Sequence, residues 1–246
     1  MRTLRTRFKK DIVCEFLPHK LSNRVIIFCD GAPSVPKKTE LLEFWNKKGF
    51  WVFHPRYRGA WESDGKFLQH SLEKDVLDVI DELPRGFKAL RSGTKYRIKP
   101  KKIFIVGSSF GGPAAILSSR DPRVDKIVAV SPVIDWTAPS KDEPFDFLIR
   151  YMAEGYGNGY RVAANGWNKL KSGKFYNPVN NIKELDPNKI FIIHAKDDRS
   201  VLYGPVKKFA TKLGCKFKSF ARGGHLSNTI TTKPAVYRQV RKFMVE

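Results

Sequence analysis

The stretch that most constrains the fold is KIFIVGSSFGGPAAIL, at residues 102–117. A continuous apolar run, 103–106, leads into a corner made of glycines and serines, and small residues that favour a helix follow. Strands that are apolar throughout belong to parallel sheets whose two faces are both covered by helices. A buried strand that turns sharply into a helix therefore indicates an α/β architecture.

The rest of the chain repeats this alternation of strands and helices. Apolar patterns predict strands at 12–16, 24–29, 50–55, 102–107, 125–132, 189–195 and 215–221. Helical spacing of apolar residues predicts helices at 39–49, 67–83, 111–120, 203–214 and 234–244. We expect the first two strands to form an opening hairpin and the basic segment 85–102 to be an exposed loop or hairpin. The whole chain, 1–246, is then one α/β domain with a mostly parallel central sheet and helices on both faces.

One long segment, 135–188, interrupts the alternation and is rich in aromatic residues, Gly, Asn and Pro. It is too long for a plain connection, so we interpret it as a lid or cap inserted between two strands. Most of its aromatic side chains are expected to form a small core of the lid itself. Others are expected to line a substrate pocket that favours apolar groups, and the candidates are Trp136, Phe147, Tyr151 and Trp167.

The charge of the chain is strongly positive, with 46 basic and 24 acidic residues and a formal net charge of +22. The basic residues are spread along the sequence, which favours a lysine-rich solvated surface over a specific nucleic-acid interface. No apolar run approaches the ~18–20 residues of a membrane span, and no signal peptide is recognisable. The 3 cysteines are too few for a disulfide framework, so we expect a reducing, cytoplasmic location.

The corner GSSFG fits the pattern Gly-x-Ser-x-Gly with Ser109 at its centre, between a strand and a helix. Small residues at 107 and 111 let a strained turn hold a serine clear of the sheet, and the following helix points its amides at the reacting atoms. A dinucleotide-binding turn needs glycine where Ser109 stands, and a phosphate-binding loop needs Gly-Lys-Ser/Thr. A purely structural tight turn is the remaining alternative.

A nucleophilic serine needs a base, and the base needs a group that orients it. The segment IFIIHAKDDRSV places Asp197 and Asp198 after one predicted strand, and SFARGGHLSN places His225 after the next. Sites in open α/β sheets form at these carboxyl ends of strands. The order serine, aspartate, histidine is the order expected of a serine hydrolase with this strand-turn-helix motif.

From about residue 24 onward the sequence resembles the α/β-hydrolases, and among them the catalytic domain of prolyl oligopeptidase-like serine hydrolases. Four segments carry the resemblance. The family's loop after its second parallel strand is similar to PRYRGAWESDGKF (55–67), and its acid segment is similar to HAKDDRSV (194–201). Its histidine loop is similar to GGH (223–225), and its oxyanion turn is similar to CDGAP (29–33). The resemblance implies that Asp198, rather than Asp197, is the acid. It also implies an oxyanion hole built from the backbone amides of Phe110 and Ala32. Asp30 and Ala195 depart from the family's usual His and Gly.

These observations predict a serine hydrolase that cleaves carboxylic esters of short to medium acyl chains, lactones among them. The triad would be Ser109, His225 and Asp198, and neither a metal nor an organic cofactor is expected. A peptidase or aminopeptidase, as the resemblance implies, is the first alternative. A non-catalytic binding protein on a hydrolase fold is the second. The expected partner is a small ester or lactone, with no specific nucleic acid and no membrane span; the oligomeric state stays open.

Overall fold

The computed structural model describes residues 3–245, and its centre is an eight-stranded sheet. Its strands are, in chain order, β1 Leu4–Phe8, β2 Ile12–Leu17, β3 Arg24–Cys29, β4 Trp51–Pro55, β7 Lys102–Ser108, β8 Lys126–Val130, β9 Ile190–Ala195 and β10 Lys216–Phe220. Two short strands, β5 Phe87–Lys88 and β6 Lys95–Tyr96, form a separate two-stranded sheet. The helices are α1 Thr39–Lys47, α2 Glu73–Glu82, α3 Gly112–Leu117, α4 Phe145–Tyr156, α5 Gly166–Lys171, α6 Tyr203–Leu213 and α7 Pro234–Val245.

The strand order in the sheet is β1-β2-β4-β3-β7-β8-β9-β10. The six strands from β4 to β10 in this order pair in parallel, whereas β1 with β2 and β2 with β4 pair antiparallel. The predicted fold class, a mostly parallel sheet between helices, is confirmed. The carboxyl ends of β7, β8, β9 and β10 consequently lie side by side at one edge.

Two hydrophobic layers cover the two faces of the sheet. Along β7, Ile103 and Ile105 belong to one layer and Phe104 and Val106 to the other, because successive side chains of a strand point to opposite faces. Helices α2, α3 and α6 cover the first face, and α1 and α7 cover the second. Each fully buried Ile, Val or Phe contributes roughly 1.5–3 kcal/mol relative to an exposed one, which explains why β7 is apolar throughout.

The opening hairpin differs from the prediction. Strand β2 pairs with β1, a strand that was not predicted, and its other neighbour is β4, not β3. The chain reverses at Lys9 and Lys10, which both have positive φ, 47° and 68°. Strand β1 was missed because its inward side carries Thr6, whose buried hydroxyl donates to the carbonyl of Lys88 at 2.8 Å, where an apolar residue is usual.

Helix α2 begins at Glu73, later than the predicted start at residue 67. Phe67 and Leu68 extend the helical pattern of apolar residues, but they are buried in the core outside the helix. The amide of Phe67 donates to Arg161 and its carbonyl accepts from Ala163, both at 2.8 Å, and Leu68 has a positive φ of 61°. The predicted hairpin within 85–102 is present as the antiparallel pair β5–β6.

The long segment between β8 and β9 contains α4, α5 and several single turns of 3-10 helix. Isolated bridges join it to the segment after β4, at Ala60–Tyr160 and Phe67–Val162.

Within residues 3–245, none of the helices combines the length and the apolar character needed to cross a bilayer.

Candidate active site

Ser109 lies at the end of β7 in a left-handed backbone conformation, with φ +51°. The glycines on either side are required by close packing. A Cβ on Gly107 would lie 2.4 Å from the carbonyl oxygen of Gly111, and a Cβ on Gly111 would lie 2.3 Å from that of Asp30. Left-handed backbone costs a non-glycine residue about 1–2 kcal/mol, so the surrounding packing holds Ser109 in a strained turn.

Asp198 and His225 form the second part of the site. The Nδ1 atom of His225 lies 2.9 Å and 3.1 Å from the two carboxylate oxygens of Asp198. The same carboxylate accepts from the amides of Ser200 and Val201 at 3.1 Å and 2.9 Å. Burial alone would raise the pKa of Asp198, but the hydrogen bond and charge of His225, with the Val201 amide, hold this pKa below its ordinary value. The arrangement keeps an ionised carboxylate against Nδ1.

The loop that carries His225 runs from β10 across the carboxyl ends of the neighbouring strands. Asp197 accepts from the amides of Gly223 and Gly224 at 3.2 Å and 2.9 Å, and this lowers its pKa. The Leu226 amide donates to the Ser131 hydroxyl, directly after β8, at 3.2 Å. Asn228 Nδ2 then donates to the carbonyl of Cys29, at the end of β3, at 3.1 Å. These bonds carry the loop past the end of β7, where Ser109 lies.

The two aspartates after β9 therefore have separate contacts. Asp198 is buried and forms a hydrogen bond with the His225 imidazole. Asp197 instead accepts hydrogen bonds from the amides of the two glycines that precede His225. Across the described chain, 3–245, no hydrogen bond joins the Ser109 hydroxyl to His225. In unliganded sites such bonds are often long and tighten only when substrate is bound.

Phe110 directly follows Ser109, and Ala32 lines the same cavity as both of them. Apart from hydrogen bonds internal to helices and strands, neither the Phe110 amide nor the Ala32 amide donates to a backbone group of residues 3–245. A Cβ on Gly31 would lie 3.1 Å from Cβ of Ser109, so glycine lets this turn approach the serine closely. Backbone amides beside a nucleophile are the groups that bind a negatively charged oxygen in oxyanion holes, so the amides of Phe110 and Ala32 are candidates for that role.

A polar cluster supports the turn that contains Ala32. The carboxylate of Asp30 lies 3.1 Å from His54 Nε2 and 3.4 Å from the Lys38 ammonium, and it accepts from Ser34 at 3.3 Å and Asn228 at 3.4 Å. Burial opposes its ionisation, yet His54 and Lys38 together lower its pKa. Sequence reasoning noted Asp30 only as a departure from the family pattern. The signal that could have found it is His54, a polar residue within the otherwise apolar strand β4 that needs a hydrogen-bond partner.

A cavity of about 340 Å³ opens beside Ser109. Half of its lining residues lie between positions 135 and 148, and Val201, Leu202 and Val206 close the other side. Two carboxyl groups, those of Asp135 and Glu143, interrupt the apolar walls.

The aromatic residues predicted for the pocket are in different places. Trp136 lines the cavity and its ring centroid lies 4.7 Å from that of Phe110. Phe147 and Tyr151 are exposed and stack on each other, and Trp167 packs edge-on against Phe145; these three do not line the cavity. On an amphipathic helix the sequence does not tell which apolar residues face a cavity and which face solvent.

Tyr176 is a site residue that sequence reasoning assigned to the insertion without a role. Its buried hydroxyl donates to the carbonyl of Phe110 at 2.7 Å and accepts from the amide of Ala114 at 3.0 Å.

No group of three or more His, Cys, Asp or Glu side chains in the described part of the chain is placed to hold a metal ion.

Comparisons with known proteins identify the family and the fold of the chain. The sequence profile of the Prolyl oligopeptidase family matches residues 37–246. Comparison with curated protein sequences gives no significant match. Among solved structures, the Pyrococcus furiosus esterase Pf2001 is similar with a TM-score of 0.69 and 19% identity, over 99% of this chain and 90% of that chain.

Two further solved structures are similar. Est1E from Butyrivibrio proteoclasticus, with ferulic acid bound, has a TM-score of 0.67 and 16% identity, over 100% of both chains. An acylaminoacyl peptidase from Pyrococcus horikoshii has a TM-score of 0.63 and 17% identity, over 99% of this chain and 41% of that chain. These identities establish the α/β-hydrolase fold alone. The profile match spans most of the sequence, and the chain belongs to the prolyl oligopeptidase family of serine hydrolases.

Proposed function

We propose that the chain hydrolyses carboxylic esters of short to medium acyl chains, lactones among them, with Ser109, His225 and Asp198 as its catalytic triad. The observation that carries the proposal is the left-handed conformation of Ser109, φ +51°, beside a cavity. A serine in this strained conformation needs a functional reason, because glycine would adopt it without cost.

In the proposed reaction Ser109 Oγ attacks the ester carbonyl carbon while His225 Nε2 takes the hydroxyl proton. Asp198 holds the imidazole through Nδ1 and stabilises its positive charge. His225 then gives the proton to the departing alkoxide, which leaves as an alcohol and an acyl-enzyme. Water attacks the acyl-enzyme by the same route, with His225 again as the base, and the carboxylic acid leaves.

The negative oxygen of each tetrahedral intermediate is assigned to the backbone amides of Phe110 and Ala32. The place of both residues in the cavity beside Ser109 supports this role. Loss of one such donor costs about 3–4 kcal/mol in the transition state of serine hydrolases.

The insertion 135–188 is proposed to act as the lid of the site. It supplies Trp136, Phe145 and Leu148 to the cavity, so it shapes the space for the acyl or leaving group. The volume of about 340 Å³ lies at the small end of the ~300–1,000 Å³ typical of ligand pockets. This size is the reason to expect short to medium chains.

A chain-length series tests the proposed substrate class. Rates for p-nitrophenyl esters from acetyl to dodecanoyl should pass through a maximum at short or medium length. Leu148→Phe, which narrows the cavity, should shift the maximum to shorter chains, and Phe147→Leu, on the exposed neighbour, should not. Equal rates along the series in all three proteins would contradict an apolar pocket that limits the length of the acyl chain.

Peptidase activity is the second candidate, and one observation favours it. The carboxyl groups of Asp135 and Glu143 line the cavity, where they would bind a substrate ammonium. Glu143 accepts from the Ser200 hydroxyl at 3.0 Å, so one oxygen remains available. An aminoacyl anilide compared with an acyl ester of equal size decides between the two. Faster anilide cleavage, with a raised KM in Glu143→Gln, would favour the peptidase.

A further inference from the structure

At the edge of the sheet opposite Ser109, three neighbouring parallel strands begin with a basic residue, and a fourth is directly preceded by one. Arg24 opens β3 and lies directly opposite Lys102, which opens β7. Lys126 opens β8, and Lys189 immediately precedes β9. Adjacent strands lie about 4.8 Å apart, so these starts form a row of cations roughly 14 Å long.

A large cavity lies along this row. Its volume is about 880 Å³, and α1 and α7, which cover that face of the sheet, form its sides. Besides the strand starts, it is lined by cations from the end of α1, Lys47 and Lys48, and from α7, Arg241. Strand β7 is 7 residues long, so the cavity is roughly 20 Å from Ser109 and separate from the proposed active site.

Within residues 3–245, most of the cations that line this cavity have no carboxylate partner. Lys102 pairs with Asp125 at 2.6 Å, and Asp125 is the only acidic residue among the cavity's lining residues. Six other cations line the cavity without a carboxylate within ion-pair distance among residues 3–245: Arg24, Lys47, Lys48, Lys126, Lys189 and Arg241. Of these, Arg24, Lys126 and Lys189 donate to backbone carbonyls. Like charges around one concave surface focus a positive field into it.

The floor of the cavity is apolar and aromatic. Trp45, Phe50 and Phe104 line it, and Tyr237 lies at its side. The Arg24 guanidinium lies 4.6 Å from the Phe50 ring centroid, and the Lys48 ammonium lies 5.0 Å from that of Tyr237. These contacts fix two of the cations above the rings, at the rim. A ligand that fits has clustered negative charge at the rim and an apolar or ring-shaped part below.

We propose that this cavity binds a small organic phosphate, whose phosphate groups lie on the cationic rim and whose apolar part lies on the aromatic floor. Phosphate is favoured over a single carboxylate because six cations that line one cavity have no carboxylate partner within residues 3–245, and Arg24, Lys126 and Lys189 among them hydrogen-bond only to backbone carbonyls. A nucleotide and an alkyl phosphate share this chemistry. The concave shape favours a compact ligand over an extended polyanion, which would follow a groove along the surface.

Calorimetric titration at about 150 mM salt tests the proposal, because weak surface pairing is largely screened at that ionic strength. ATP, dodecyl phosphate and pyrophosphate are the probes, and the first two separate a ring from an alkyl chain. We expect one site per chain for ATP or dodecyl phosphate, and weaker binding of pyrophosphate, which has no apolar part.

The double variant Lys47→Gln/Arg241→Gln removes two cations whose side chains make no hydrogen bond or ion pair with residues 3–245, so the fold should be kept. It should weaken the favoured probe about tenfold. The control Arg91→Gln/Lys208→Gln makes the same change in net charge at exposed residues outside the cavity, and should change the Kd by less than about twofold.

Three results would overturn the proposal. One is no saturable binding of any probe to the folded wild type. Another is equal weakening in both double variants, which would mean a general field and no site. The third is that a thymidine 20-mer or phosphatidylglycerol vesicles bind through Lys47 and Arg241 and are not displaced by ATP or dodecyl phosphate. That last result would assign the surface to nucleic acid or to a membrane.

Discussion

The hydroxyl of Tyr176 donates a hydrogen bond to the carbonyl oxygen of Phe110 at 2.7 Å, and so joins the insertion to the turn that carries Ser109. The same hydroxyl accepts from the Ala114 amide in the first turn of α3. One side chain therefore holds both the residue after Ser109 and the helix that follows. The position of the Phe110 amide, a proposed oxyanion donor, depends on this contact.

Replacing Tyr176 by phenylalanine leaves a buried carbonyl and a buried amide without their partner. We expect the free energy of unfolding to fall by about 1–3 kcal/mol. We also expect kcat to fall more than KM rises, because the oxyanion site is displaced while the substrate cavity is kept. Steady-state kinetics with p-nitrophenyl butyrate and urea unfolding measure the two effects. Tyr96→Phe, at a half-buried tyrosine in the β5–β6 hairpin, is the control and should change neither.

Replacing Ser109 by glycine should stabilise the protein and abolish its activity. Glycine adopts the left-handed conformation of residue 109 freely, so the free energy of unfolding should rise by about 0.5–1 kcal/mol. Ser108→Gly should have the opposite sign, because Ser108 has extended φ and ψ angles of −127° and 151°. Thermal unfolding of the two variants gives the comparison. A lower melting temperature for Ser109→Gly than for wild type would mean that the turn is not strained.

Replacing Asp198 by asparagine should lower kcat by about three to four orders of magnitude, because the imidazole loses its charged partner and its tautomer. Asp197→Asn, which changes the neighbouring carboxylate, should lower kcat by less than about tenfold, since Asp197 contacts only loop amides. Kinetics on the purified pair decide the assignment. Similar losses in the two variants would contradict separate roles for the two carboxylates.

Replacing Asp30 by asparagine should reduce stability in a pH-dependent way. Because folding lowers the pKa of Asp30 below its ordinary value of 3.8, the carboxylate stabilises the fold above that value. The stabilisation is lost as the pH falls through the lower folded pKa. Urea unfolding should therefore show a deficit of about 1–3 kcal/mol for the variant at pH 7, and a smaller deficit below pH ~3.8. A deficit that is constant from pH 7 to pH 3 would contradict an ionised Asp30.

The sheet and the strand ends that carry the site could be predicted because continuous apolar strands leave few alternatives. The strands that hold Ser109, Asp198 and His225 were predicted within a few residues for this reason. Strand β1 could not be predicted, since two of its five residues are arginines and its inward Thr6 owes its burial to a partner in a distant hairpin.

Contacts between distant segments account for the other differences. Phe67 and Leu68 continue the helical pattern of α2, but their backbone bonds to the insertion keep them out of the helix. The role of Tyr176 depends on two backbone groups more than sixty residues away. The row of basic strand starts is visible in the sequence only after the strand order is known. Local patterns contain none of this information.

The most direct test of the central claim is to measure p-nitrophenyl butyrate hydrolysis and fluorophosphonate labelling, with intact mass, on the wild type and on Ser109→Ala. Serine catalysis at residue 109 predicts turnover and a single adduct in the wild type, and neither in Ser109→Ala, with both proteins folded by circular dichroism. Turnover and labelling that persist in Ser109→Ala would contradict the claim, as would a folded wild type that shows neither.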